Sequence, residues 1–108
     1  MSFKFEKSDK ITDLHPNLKK HFGLFMSRRV AEVDDFSNAV NNSDFAYLRD
    51  YCHKIIGISA SYNCYRLDEI TRYIQIYARS EDIKPIQDVK DLFLNLLDEL
   101  QQVSNDLI

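Results

Sequence analysis

Asp44-Phe45-Ala46-Tyr47-Leu48-Arg49-Asp50-Tyr51-Cys52-His53-Lys54-Ile55-Ile56-Gly57-Ile58-Ser59-Ala60-Ser61-Tyr62 is the stretch on which the reading turns. Within it Phe45, Leu48, Cys52, Ile55, Ser59 and Tyr62 recur at spacings of 3, 4, 3, 4 and 3. That period places them on one face of an α-helix. Asp44 is suited to cap its start, and Asn63, which tolerates the left-handed conformation, is suited to end it. The spacing predicts one helix from about Phe45 to Tyr62.

The same period extends on both sides. Upstream, Thr12-Asp13 and then Pro16 read as a helix start, followed by Leu18, Phe22, Phe25, Arg29, Val33, Phe36 and Val40 on one face about six turns long. A single Arg interrupts that face, and Asn41-Asn42-Ser43-Asp44 closes it. Downstream, Leu67, Ile70, Ile74 and Tyr77 mark a third helix, and Ser80-Glu81-Asp82 breaks it. Pro85 fits the first turn of a fourth, whose stripe is Ile86, Val89, Phe93, Leu96, Leu100, Val103 and Leu107. The expectation is an all-α fold: an antiparallel up-down four-helix bundle over residues 12–108, with a short N-terminal extension over residues 1–11. Phe3, Phe5 and Ile11 are expected to lie over the body of the domain. The breaks allow the helices to fold back on one another, so a monomer is expected rather than an intermolecular coiled coil.

Composition agrees. Two Gly and two Pro among 108 residues are too few for the turns of a sandwich or barrel, whereas 44% hydrophobic residues suit one packed domain. Fourteen Lys and Arg against seventeen Asp and Glu give a formal charge of −3, with no basic block of the kind nucleic-acid modules carry. No run of eighteen apolar residues suggests a membrane span, and the first residues lack the apolar stretch of a signal peptide. If residues 44–62 are helical, the Cα atoms of Cys52 and Cys64 lie on the order of 15 Å apart. That exceeds disulfide reach, so two reduced thiols in a cytoplasmic protein are expected. The initial Met reads as the start of a free-standing protein.

Most catalytic signatures are missing: there is no phosphate-binding Gly loop, no GxSxG, no CxxC and no HExxH. His15, His21 and His53 lack the i, i+4 spacing of a helical zinc site, so no metal or cofactor of its own is expected. Asp34-Asp35 and Asp68-Glu69 read as solvated helix surface, and Arg28, Arg29, Arg66 and Arg72 as surface ion pairs. His53 differs by position. It points roughly 130° from the centre of the apolar stripe, towards solvent. Gly57 follows one turn later on the same predicted face, where a mid-helix glycine costs about 1 kcal/mol relative to alanine. With Ala46, Ala60 and Ser61 keeping the surface low, the imidazole would stand open to a bulky partner. An ordinary surface histidine beside a tolerated glycine is the plain alternative.

His53-Lys54-Ile55-Ile56-Gly57-Ile58-Ser59-Ala60-Ser61-Tyr62-Asn63, with Leu67 following, resembles the signature of histidine phosphotransfer (HPt) domains, approximately His-x-Leu-Lys-Gly-small-small-Ala-x-x-Gly and then Leu. Asn42-Ser43-Asp44-Phe45-Ala46-Tyr47-Leu48 is similar to the family's Gly-Asp-Phe-x-x-Leu entry into the histidine helix, and Met26-Ser27-Arg28-Arg29 and the turn Ala78-Arg79-Ser80-Glu81-Asp82 also fit. The likeness spans about residues 12 to 104. It implies a phosphocarrier without kinase or phosphatase activity of its own, with His53 as phosphoacceptor and Ala46, Ile56, Gly57, Ala60 and Ser61 on the docking surface. The implied partners are response-regulator receiver domains, which would supply Mg²⁺, and a hybrid sensor kinase is a further candidate. The family's Lys is Ile56 here, which leaves Arg49 and Lys54 as the nearest cations to support the phosphoryl group; Ile58 also replaces a small residue. These departures define a second expectation, a phosphorylation-independent module that docks on a receiver and inhibits it.

Overall fold

Pro16 opens the first long helix of the computed structural model, which describes residues 3–107. Its ring fixes φ for a first helical turn and drives the residue before it out of the helical region. His15 is accordingly extended, and its Nδ1 accepts the Asn17 N–H at 3.2 Å. The start is therefore His15-Pro16 rather than Thr12-Asp13, which lie in a short 3₁₀ turn over Ile11–Asp13.

Six α-helices and no strand occur among the described residues: α1 Pro16–Ala31, α2 Val33–Asn41, α3 Phe45–Ile55, α4 Ile58–Ser61, α5 Tyr65–Arg79 and α6 Ile83–Asp106. Two of the expected long helices are each divided. The first breaks at Glu32, whose N–H turns back to the Arg29 carbonyl at 3.2 Å. Arg29, the one charge on that apolar face, is only 9% exposed. It therefore needs a counter-charge. Glu32 Oε1 lies 2.6 Å from Arg29 Nε, and the guanidinium also sits 5.1 Å from the centre of the Phe25 ring. Leu18, at the start of this face, is exposed rather than buried.

The second division falls at Ile56-Gly57. Ile56 is extended and Gly57 has φ +87° and ψ −50°, a region in which side-chain-bearing residues are strained. The predicted helix over 45–62 is thus α3 and α4, and Gly57 precedes α4 instead of standing inside a helix. The stripe survives the break: Leu48, Cys52, Ile55 and Ser59 are all buried. Asn63 adopts φ +58° after α4, and Glu81 φ +54° after α5, so both expected turns are present.

α3 packs on α5, α5 on α6, and α6 on α1, while α2 bridges α3 and α6. At the centre the Phe36 ring lies 5.2 Å from Tyr51 and 4.8 Å from Phe93, each almost wholly buried. Tyr51 is a core residue, 1% exposed. The N-terminal segment is docked along α5: Phe3 meets Tyr73 at 5.0 Å, Asp9 pairs with Arg66 at 2.8 Å, and Glu69 accepts the Glu6 and Lys7 N–H groups. Backbone Lys10 and Asn63 are joined by a 2.9 Å hydrogen bond.

Phe36→Ala is expected to lower the unfolding free energy by about 3–5 kcal/mol through the cavity it leaves between Tyr51 and Phe93. Leu24→Ala, at an exposed position, should stay within about 0.5 kcal/mol. Urea unfolding monitored by circular dichroism measures both.

Candidate functional site

His53 stands in the last turn of α3 with its side chain exposed, while its neighbour Cys52 is fully buried. That contrast follows from the helix, because adjacent residues point about 100° apart. The two cations expected beside it are both engaged elsewhere. Arg49 Nη1 donates to the Ala78 carbonyl at 3.3 Å, at the end of α5. Lys54 Nζ lies 3.5 Å from Glu32 Oε2, at the junction of α1 and α2. The lysine contact is long and exposed.

The expected docking residues fall on both sides of the break. Ala46 is exposed on α3, two turns before His53. Gly57 and Ser61 are exposed beyond the break, and Ile56 and Ala60 are half-buried, with Ile56 packed against the core. Gly57 is therefore not one helical turn above His53 on a continuous face. Its surroundings are nevertheless open: a Cβ placed there would meet nothing within 4 Å. Ser61 Oγ donates to the Gly57 carbonyl at 3.1 Å and ties α4 to the break.

The carboxylate that organises this region is Asp68, read from the sequence as solvated surface. It is only 8% exposed. Its Oδ1 accepts the Gly57 N–H at 2.9 Å and lies 3.3 Å from Ser59 Oγ; its Oδ2 accepts Arg72 Nε at 2.7 Å. The Ser59 hydroxyl has one proton and shares it with the Ile55 carbonyl at 3.0 Å. Burial alone pushes the Asp68 carboxyl up, but the Gly57 N–H, the Arg72 guanidinium and the Ser59 hydroxyl together hold it below the usual range. The available signal was the spacing itself: Asp68 borders the buried Leu67 and stands four residues before Arg72, an acid–base pair on one helical face.

Beside the break, α1 and α4 border a groove of about 260 Å³ lined by His21, Leu24, Phe25, Arg28, Arg29, Ile58 and Tyr62. Leu24 and Ile58 are 53% and 46% exposed along it. Arg28 forms no ion pair among the described residues, so the groove joins apolar surface to positive charge. Lys54, the residue after His53, reaches Glu32 immediately after α1.

Both cysteines are free and buried. Burial pushes the Cys52 thiol up to about 12, and burial with Asp9 nearby raises Cys64 further, so neither offers a thiolate near neutral pH. Among the described residues no group of three or more His, Cys, Asp or Glu side chains could hold a metal ion, and no helix is long and apolar enough to cross a membrane.

Because the Asp68 carboxyl is depressed in the folded chain, its ionised form stabilises the fold above the ordinary carboxylate pKa of about 3.9. That stabilisation disappears as pH falls through the lower folded value. Asp68→Asn should therefore be less stable than wild type at pH 7 and converge with it in acid. Urea midpoints taken from pH 7 down to pH 3 test this.

No family model, curated protein or solved structure matches the chain.

Proposed function

We propose that this chain is a histidine-containing phosphotransfer protein, with His53 carrying a phosphoryl group between response-regulator receiver domains. The observation that carries the reading is an exposed imidazole at the end of α3 with open space at Gly57 beyond it, in a sequence that resembles the HPt signature. In this reading the helices form an up-down four-helix bundle. α1 with α2 makes one arm, α3 with α4 the second, and α5 and α6 the others. The bundle holds one imidazole rigidly on a face low enough for another protein to approach.

The chemistry is positional. A neutral imidazole presents a lone pair on one ring nitrogen. One ring nitrogen attacks the phosphorus of a receiver's aspartyl phosphate. The new N–P bond forms as the P–O bond to the aspartate breaks, and that electron pair leaves on the carboxylate. The second ring nitrogen keeps its proton. Transfer to a second receiver reverses the sequence, with its aspartate as the nucleophile. Magnesium and most of the charge stabilisation belong to the receiver's acidic pocket. Lys54, whose contact to Glu32 is 3.5 Å and exposed, is the cation free to turn towards a phosphoryl group. Arg49 would have to leave the Ala78 carbonyl. A cytoplasmic location accords with two free thiols, and a hybrid sensor kinase would be a fitting upstream partner.

A second reading follows from a specific observation. Ile56 stands where the family has Lys, and both nearby cations point to other elements. A chain of this kind would dock on a receiver and inhibit it without accepting phosphate.

Incubation with a phosphorylated receiver separates the two. Wild type is expected to acquire acid-labile, alkali-stable label and His53→Gln none. Absence of label on wild type across several receivers overturns the carrier reading. Equal receiver affinity and equal inhibition by the unlabelled wild type and His53→Gln would then establish the docking module.

A further inference from the structure

The Gly57 N–H has two possible acceptors. In a helix running unbroken from Phe45 to Tyr62 its partner would be the carbonyl of His53, four residues back. Here it donates to Asp68 Oδ1 at 2.9 Å, and α3 stops at Ile55. The stripe Phe45, Leu48, Cys52, Ile55, Ser59, Tyr62 is compatible with the unbroken helix, so the same residues have a second arrangement available. Only the broken form requires Gly57 at φ +87°. What selects the broken form is a buried acceptor on another helix, held in place by Arg72 at 2.7 Å and sharing the Ser59 hydroxyl proton.

We propose that Asp68 is a positioning residue for His53: by capturing the Gly57 N–H it holds the imidazole-bearing helix open at its last turn. Without that acceptor, α3 and α4 join, the amide returns to the His53 carbonyl, and Gly57 swings onto the face of His53 one turn on. The two arrangements offer an incoming protein different surfaces around the same imidazole. The consequence for phosphotransfer rests on the reading of His53 as phosphoacceptor; the backbone state does not.

The test is nuclear magnetic resonance on the full chain as wild type, Asp68→Ala, Asp68→Asn and Gly57→Ala. In Asp68→Ala, the Cα shifts of Ile56 and Gly57 should move to helical values and the His53 imidazole signals should shift. A through-hydrogen-bond coupling from the Gly57 amide to the His53 carbonyl should appear. Gly57→Ala, in which alanine disfavours φ +87°, supplies the reference shifts for a backbone biased towards the joined form with the acceptor still present, and Asp68→Asn carries the test if Asp68→Ala fails to fold. Asp68→Asn keeps an oxygen acceptor and should retain the wild-type pattern, a rescue that loss of a merely stabilising charge would not produce. Non-helical Ile56 shifts in a folded Asp68→Ala, or a joined helix in Asp68→Asn, would overturn the proposal. A wild type that no receiver labels sinks the phosphocarrier reading and leaves this backbone result to decide the role of Asp68.

Discussion

A buried carboxylate with one oxygen on a backbone N–H and the other on a guanidinium sets the shape of the region around His53. Asp68 is the only carboxylate in the described structure that joins the break between α3 and α4 to α5. An oxygen fixed in place by partners on two elements is an acceptor already aimed at the Gly57 amide, and partial burial strengthens the bond it accepts. The bond from Gly57 can therefore compete with an ordinary helical bond to His53. Everything downstream depends on that outcome: where α3 ends, where Gly57 sits, and how Ser59 stays in the core while Ser61 faces water.

The other division, at Glu32, follows the same logic with opposite charges. A guanidinium lies on an apolar face, and the chain tightens at the next turn so that a carboxylate covers it. Glu32 then has an oxygen left for Lys54 on α3. The junction of α1 and α2 is thereby linked to the last turn of α3. The exposed pair contributes little stability by itself. Its effect is on direction, since it turns the Lys54 side chain towards the end of α1.

Aromatic packing supplies rigidity behind this surface. Phe36, Tyr51 and Phe93 form a contact set that brings α2, α3 and α6 together, and Tyr47 stacks on Tyr51 at 5.9 Å. Burial pushes the Tyr51 hydroxyl well above the ordinary phenol range, with Glu32 adding to the effect. Its oxygen has no hydrogen-bond partner among the described residues. A polar atom left unpaired in the core is tolerated because the ring buries a large apolar area on both faces.

Much of this molecule was legible before any coordinates. The apolar spacings located every long helix, Pro85 and Asn63 marked a start and a stop correctly, and the wheel placed His53 outward and Cys52 inward. Those features are local, because a 3.6-residue period and the φ preferences of Pro and Asn act within a few neighbours. The departures around His53 involve partners distant in the chain. Asp68 is eleven residues from Gly57, and Lys54 is twenty-two from Glu32. A period cannot register a helix break whose cause is an acceptor on another helix, since the stripe is the same whether the break is present or not. Sequence thus determined which residues face the core and which imidazole faces water. Tertiary structure alone decided where the helix beneath that imidazole ends, because only folding brings a buried carboxylate up to the Gly57 amide.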